Sequence, residues 1–438
     1  MEEIFAGIDV GLSGVRASLV TKHGRLVSRS RIASNTYRLS ATEICRLGLS
    51  ALKHALAKRH DKGISCLAIA CAGPSPVLLG RNDRELKRVP LFHWGTRADQ
   101  TDDLRARLLG ARTTWPKVFK KAHSVADLTG FAVGHCTGTV VMDHGTKADY
   151  SAADEGLRLA TPDAHAAKAI SGELQKSTAR RLGIASGAPV ATGCYDSTAD
   201  IAAAGFGSDR SAVIVIGSTL VLGRLTTEPI KDVSLRSISH LGDGWFSGGW
   251  TNMAGSALRL ADQWLAKGGE RESKHTPLVL PYFAGERAPV WSLAASGSAL
   301  GLTSCMKAAD LRRGVLEGAV LSALDIADRL AEELGPVRSW TVTGGGTRSP
   351  SLMQALSDAL GARLNVVRHA ADAIGPALLA ASACGHSIRL PIAQSWRPRR
   401  MREAYFKRRL ALYRHCHAAL TPLYGELRSG SLAGGERT

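Results

Sequence analysis

The stretch IFAGIDVGLSGVRASLVTKHGRLV, residues 4–27, reads as two β-rich runs flanking the turn DVGLSG, with a further turn at His23-Gly24. A hairpin meander of this kind opens a domain. The same plan returns in SAVIVIGSTLVLGRL, residues 211–225, where an apolar run meets a Gly-Ser-Thr turn and a second apolar run follows. A second domain therefore begins with a hairpin of its own. A third unit, SWTVTGGGTRSPSLMQALSDALG, residues 339–361, runs from a strand through three glycines into a helix, with Ser349 as N-cap and Pro350 at the first helical position. Backbone amides at such a junction point outward and suit phosphate or ribose oxygens.

Working outward, 438 residues exceed what one hydrophobic core serves, so two domains with a ligand cleft between them are expected. The pattern breaks at FGSDRS, which places the boundary near residue 207: an N-terminal domain over 1–207, a C-terminal domain over 208–425, and a small, polar tail over 426–438. Between the hairpins lie helical segments such as 309–334, with Leu311, Val315, Ala319, Ile326 and Leu330 on one stripe. Hairpins followed by helices in both halves indicate α/β or α+β domains.

A hydrophobic content of 45% with 21% charged residues is that of a globular chain. The net charge of +18 admits nucleic acid, an anionic surface or an anionic small ligand as partner. Its densest cluster is WRPRRMREAYFKRRLALYRH, residues 396–415. Tyr405, Phe406, Leu410, Tyr413, Leu420 and Tyr424 recur there near helical spacing, so a docked amphipathic helix with a solvated basic face is expected rather than a nucleic-acid site. Eight scattered cysteines without a CxxC pair suit reduced thiols in a cytoplasm. MEEIFAGIDV is not a targeting peptide, and no apolar run is long enough for a membrane span.

The two hairpin turns, facing one another across a cleft, could wrap a polyphosphate with backbone N–H groups. Asp9, at the end of the first strand, can hold Mg²⁺ directly or through water. Asp196, in GCYDSTAD (193–200), can act as a base toward a substrate hydroxyl, or serve as an ordinary helix cap; local sequence leaves both readings open.

The motifs GIDVGLSGVRASLV, ATGCYDSTADIAAAG, VIVIGSTLVLG, GGWTNMAGSALR, LPYFAGERAPVW followed by SGSALGLT, VTGGGTRSPSLMQALSDALG and AIGPALLAASACG resemble, in order, those of the FGGY carbohydrate kinases, xylulokinase-like in flavour. The resemblance implies an α/β fold of two actin-like, ribonuclease H-like ATPase domains with an interdomain cleft. It implies transfer of the γ-phosphoryl group of MgATP to a hydroxyl of a sugar or polyol, a ketopentose such as xylulose being the expected acceptor. By the same resemblance Asp9 is the metal aspartate and Asp196 the catalytic base. Gly11, Ser13, Gly217, Ser218 and Thr219 hold phosphates, while Gly344, Gly345, Gly346, Thr347 and Ser349 hold the rest of ATP. Ser75, Trp94, Arg97, Asp196 and Ser197 face the acceptor. The helix over 373–384 supports the nucleotide pocket, the Gly285-Glu286-Arg287 turn is more architectural than chemical, and a homodimer is possible.

Four departures stand against this pattern. Leu12 replaces a threonine of the first turn, which costs about 1 kcal/mol of phosphate binding. Thr96 replaces a frequent aspartate in LFHWGTRAD, and LAIACAGPSPVLLG (67–80) is bland where relatives carry polar substrate residues. Relatives also have a block of residues before TTWPKVFKKAHSVADLTG that this chain lacks. Together these motivate an alternative: a catalytically weak kinase-fold regulator that binds sugar or nucleotide.

Overall fold

The structure is a computed structural model that describes residues 2–59, 63–90, 104–153, 156–205, 212–239, 241, 244–265, 275–369, 373–399 and 401–427. The opening stretch forms the meander that its alternation predicts. Strands β1 (Ile4–Gly11), β2 (Gly14–Thr21) and β3 (Leu26–Ala33) pair antiparallel, and the two-residue turn Leu12-Ser13 sets Asp9 opposite Arg16. Strand β4 (Cys66–Cys71) lies parallel to β1. The sheet is completed by β5 (Ile170–Glu173), β6 (Pro189–Ala191) and β7 (Cys194–Tyr195), in the order β5-β6-β4-β1-β2-β3 with β7 beside β4.

The second hairpin builds a sheet of the same plan. Strands β8 (Ala212–Ile216), β9 (Leu220–Thr226), β10 (Arg236–Ser239) and β11 (Trp245–Thr251) pair antiparallel, and β12 (Ser339–Thr343) lies parallel to β8. With β13 (Arg363–Val367) and β14 (Ile392–Trp396) the order is β10-β11-β9-β8-β12-β13-β14.

Every residue of β1 is buried, because helices cover both faces of its sheet. The period of two sends Ile4, Ala6, Ile8 and Val10 toward helix α1 (Ala41–Leu56), whose Ile44, Leu49, Leu52 and Leu56 share their core. Phe5 turns to the other face, into a core shared with Ala377, Leu378 and Ala381. Asp9 occupies the same alternate position as Phe5, where β1 runs out of covering helix. Residue parity thus puts a carboxylate at the edge of an apolar face.

Two helices start on the sheet ends that matter. Helix α2 (Asp196–Ala203) follows β7, and α3 (Gly255–Trp264) follows β11. Helix α4 (Ala308–Leu334) crosses the second core, and α5 (Pro350–Leu360) begins, as its sequence predicts, with Ser349 accepting the Leu352 N–H and Pro350 in the first turn.

Helix α6 (Gly375–Ala383) departs from expectation. The sequence reading assigns it to the nucleotide-side domain; instead it packs on the sheet of the first hairpin, against β1, β4 and α2. Glycines set the closeness of this contact: a Cβ on Gly7 would fall 2.2 Å from Ala377 N, and one on Gly375 2.7 Å from Ala199 O.

Helix α7 (Arg402–Leu420) docks as predicted, burying Phe406, Leu410 and Tyr413. Three cations in it and just before it are answered by acids beneath: Arg399 by Asp358, Arg409 by Glu317, Arg414 by Asp325 and Asp328. The cluster that dominates the sequence is thus in part internal ion pairing. No helix among the described residues is long and apolar enough to cross a membrane.

Candidate active site

The two hairpin turns, the three glycines and the start of α2 converge on one cavity of about 830 Å³ between the sheets. The first half contributes Asp9, Gly11, Ser13, Asp196 and Ser197; the second contributes Gly217, Ser218, Thr219, Gly344, Gly345 and Gly346. Residues as distant in sequence as Asp9 and Gly346 thus face a single space.

On the second lobe the lining is mostly backbone. Gly217 N–H closes the turn on the Thr219 carbonyl at 2.8 Å. The N–H groups of Ser218 and Thr219 have no acceptor among the described residues. The Ser218 carbonyl accepts from Ser256 N–H at 3.0 Å and its hydroxyl from Arg259 Nη2 at 2.9 Å, so α3 braces the turn from behind. Gly344 adopts φ +97°, and a Cβ there would lie 2.5 Å from the Ile216 carbonyl oxygen; only glycine lets this loop approach β8. The Thr347 hydroxyl donates back to the Gly344 carbonyl at 2.7 Å, and Ser349 caps α5, so neither faces the cavity.

On the first lobe the lining is charged. Asp9 is 7% exposed and accepts from Arg16 Nη1 at 2.6 Å. Burial nevertheless keeps its carboxyl above the usual range, opposed by the Arg16 charge. Asp196 is the first residue of α2, not its cap. Its Oδ1 takes the adjacent Ser197 N–H at 2.7 Å, which leaves the other oxygen toward the cavity. Burial, and next the like charge of Asp9, push its carboxyl up to about 7.

Three of the lining residues that the sequence reading did not place in the site bear most on its chemistry. Arg16 is the cross-strand partner of Asp9, a position that a two-residue hairpin turn makes legible. Asp200 stands four residues after Asp196, hence on the same face of α2, and its only signal is that spacing. Arg259, on α3, had none. Arg287 also lines the cavity, while Glu286 is buried and accepts the N–H groups of Asn252 and Arg287 at 2.5 and 2.8 Å, an architectural role as expected.

The acceptor side is less complete. Trp94 and Arg97, with Thr96, lie outside the described residues. Ser197 lines the cavity, but Ser75 does not: it is 0% exposed, its N–H donates to Asp127 and its hydroxyl accepts from Arg88. Its polar atoms are therefore used inside the lobe. Beside it Gly73 reaches the cavity, and a Cβ there would lie 2.1 Å from the Tyr195 ring, so the tyrosine next to Asp196 fills space that a side chain at 73 would take.

Among the described residues seven cations, Arg16, Arg29, Arg31, Lys58, Arg259, Arg287 and Arg348, line the cavity against three carboxylates, Asp9, Asp196 and Asp200. A wall with this balance attracts a polyanion. Residues 212–384 match the profile described as the FGGY family of carbohydrate kinases, C-terminal domain.

That segment belongs to the FGGY carbohydrate kinases.

It is 26% identical to a xylulose kinase of Escherichia coli, over 96% of this chain and 100% of that one. It is 27% identical to a xylulose kinase of Staphylococcus epidermidis over 49% of this chain, a match that spans 46% of that enzyme's length. A crystal structure of gluconate kinase from Lactobacillus acidophilus superposes with a TM-score of 0.83 at 18% identity, covering 98% of this chain and 100% of that one. The fold of the chain is accordingly the two-domain, actin-like arrangement. Members of the family use ATP with Mg²⁺.

The residues present suit that pair. Among the described residues no three acidic, histidine or cysteine side chains are grouped to hold an ion by themselves. Mg²⁺ does not require such a cage: it takes one or two carboxylates, water and phosphate oxygens. Asp9 offers one buried carboxylate to the cavity that the turn of Ser218 and Thr219 also lines.

Proposed function

We propose that this chain transfers the γ-phosphoryl group of ATP to a hydroxyl of a small sugar or polyol, with a ketopentose such as xylulose as the foremost acceptor. The observation that carries the reading is the sharing of one cavity by two acids of the first lobe and two amide-lined loops of the second. Names of the relatives support the acceptor class and leave its identity to experiment.

In this reading the turn over 217–219 and the glycines 344–346 seat the nucleotide, their free N–H groups replacing water around the phosphates. Asp9 would hold Mg²⁺, which neutralises phosphate charge when bound. Asp196 accepts the proton of the attacking hydroxyl; a carboxyl titrating near 7 is a competent base at neutral pH and still loses its proton readily. Closure of the lobes excludes water, so that the phosphoryl group meets the acceptor. Residues 1–207 supply the acceptor side and 208–425 the nucleotide side, with α6 returning to the first. A cytoplasmic location and a homodimer accompany the proposal.

The test is ADP release in a coupled assay with xylulose, other ketopentoses, pentitols, gluconate and glycerol as acceptors. Turnover on at least one is expected. Binding of ATP without turnover on any would overturn the kinase reading in favour of a sugar- or nucleotide-binding regulator.

A further inference from the structure

Asp9 faces two demands. Its Oδ2 holds Arg16 at 2.6 Å, and on the kinase reading the same enclosed carboxylate must receive a divalent cation with the nucleotide. A guanidinium and a dication on one carboxylate repel each other strongly at this separation in a partly buried site. Arg16 therefore has to leave that oxygen. Its backbone is fixed by the β1–β2 register, but its side chain is 32% exposed and long enough to swing.

The wall of the cavity offers two other carboxylates. Asp196 is engaged by the Ser197 N–H and must remain basic toward the acceptor, a property that an ion pair would diminish. Asp200, one helical turn further along α2, lines the same cavity, and no hydrogen bond reaches its carboxylate among the described residues. Arg16 is drawn electrostatically to Asp200 as well as to Asp196.

We propose that Asp200 is a positioning residue that receives the Arg16 guanidinium when a divalent cation occupies Asp9. The exchange keeps the cation of Arg16 compensated, clears Asp9, and leaves Asp196 free as base. It also accounts for an otherwise unengaged carboxylate in a cleft built for polyanions. The inference rests on the kinase reading of the site, and the experiment separates the two.

Mn²⁺ binding in the presence of ADP, followed by electron paramagnetic resonance, reads the metal without turnover. Asp200→Asn is isosteric and forfeits no hydrogen bond, so the fold is retained. It is expected to weaken Mn²⁺ binding about tenfold in the wild-type background and to change nothing in an Arg16→Ala background, because no guanidinium then needs to be moved. Arg16→Gln serves as a second background should the alanine variant not fold. Equal weakening in both backgrounds would mean that Asp200 acts on the cation directly, and would overturn the proposal; so would no weakening in either. Absence of any Mn²⁺ binding to the wild-type protein with ADP would remove the kinase reading itself.

Discussion

At the scale of single residues, the acid-base behaviour of Asp196 is the most exposed claim. Its carboxyl is raised by burial and by the neighbouring Asp9, so it is protonated and idle on the acid side and ionised above about 7. The acceptor-limited rate should rise with pH and reach half its plateau near 7, measured as kcat/KM for the sugar. Asp196→Asn should lower kcat by about 10²- to 10⁴-fold while ATP affinity, followed by calorimetry, stays within about twofold. Arg259→Ala should do the reverse, weakening ATP about tenfold with a smaller change in kcat, since this exposed guanidinium braces the 217–219 turn and faces the phosphate side. Asp9 and Asp196 were legible because motif order fixed both. Arg16 could have been read from the hairpin register and Asp200 from helical spacing. Arg259 could not, because nothing in GSALR indicates which face of α3 meets another loop. Ser75 shows the opposite failure: a polar residue in a site segment whose hydrogen bonds are spent on Asp127 and Arg88.

At the scale of elements, two helices carry consequences. Helix α6 is apolar all round, so its sequence announces burial without saying against which sheet. Only the glycines at 7 and 375 mark the contact, and their partners are hundreds of residues distant. Gly7→Ala should therefore cost about 1–3 kcal/mol by overpacking against the Ala377 backbone, seen as a lower midpoint of thermal unfolding. Helix α7 was readable as a docked amphipathic element, whereas the pairing of its cations with α4 and α5 was not, because acids of a partner helix carry no sequence tag. Asp358 is 0% exposed beneath Arg399. Arg399→Ala should destabilise the fold by about 1–2 kcal/mol, toward the low end because the guanidinium is half exposed, while leaving retention on polyanion resins nearly unchanged.

At the scale of the whole molecule, repetition was what the sequence displayed best: two hairpins of one plan, and two sheets of seven strands each built on them. The surplus of +18 takes a more definite form in the structure, since part of it lines the cleft and part of the basic helix is internally compensated. The seating of α6 has a further implication for anyone cutting or recombining this chain. Residues 1–207 made alone would bare the apolar surface of Phe5, Ala68 and Ala70 that this helix covers, so the piece should bind hydrophobic dye and precipitate, and co-expression with 208–438 should rescue it. Chimaeras that exchange the leading half for a relative's would need residues 373–384 to travel with it, which makes the transferable unit discontinuous in the gene although contiguous in space.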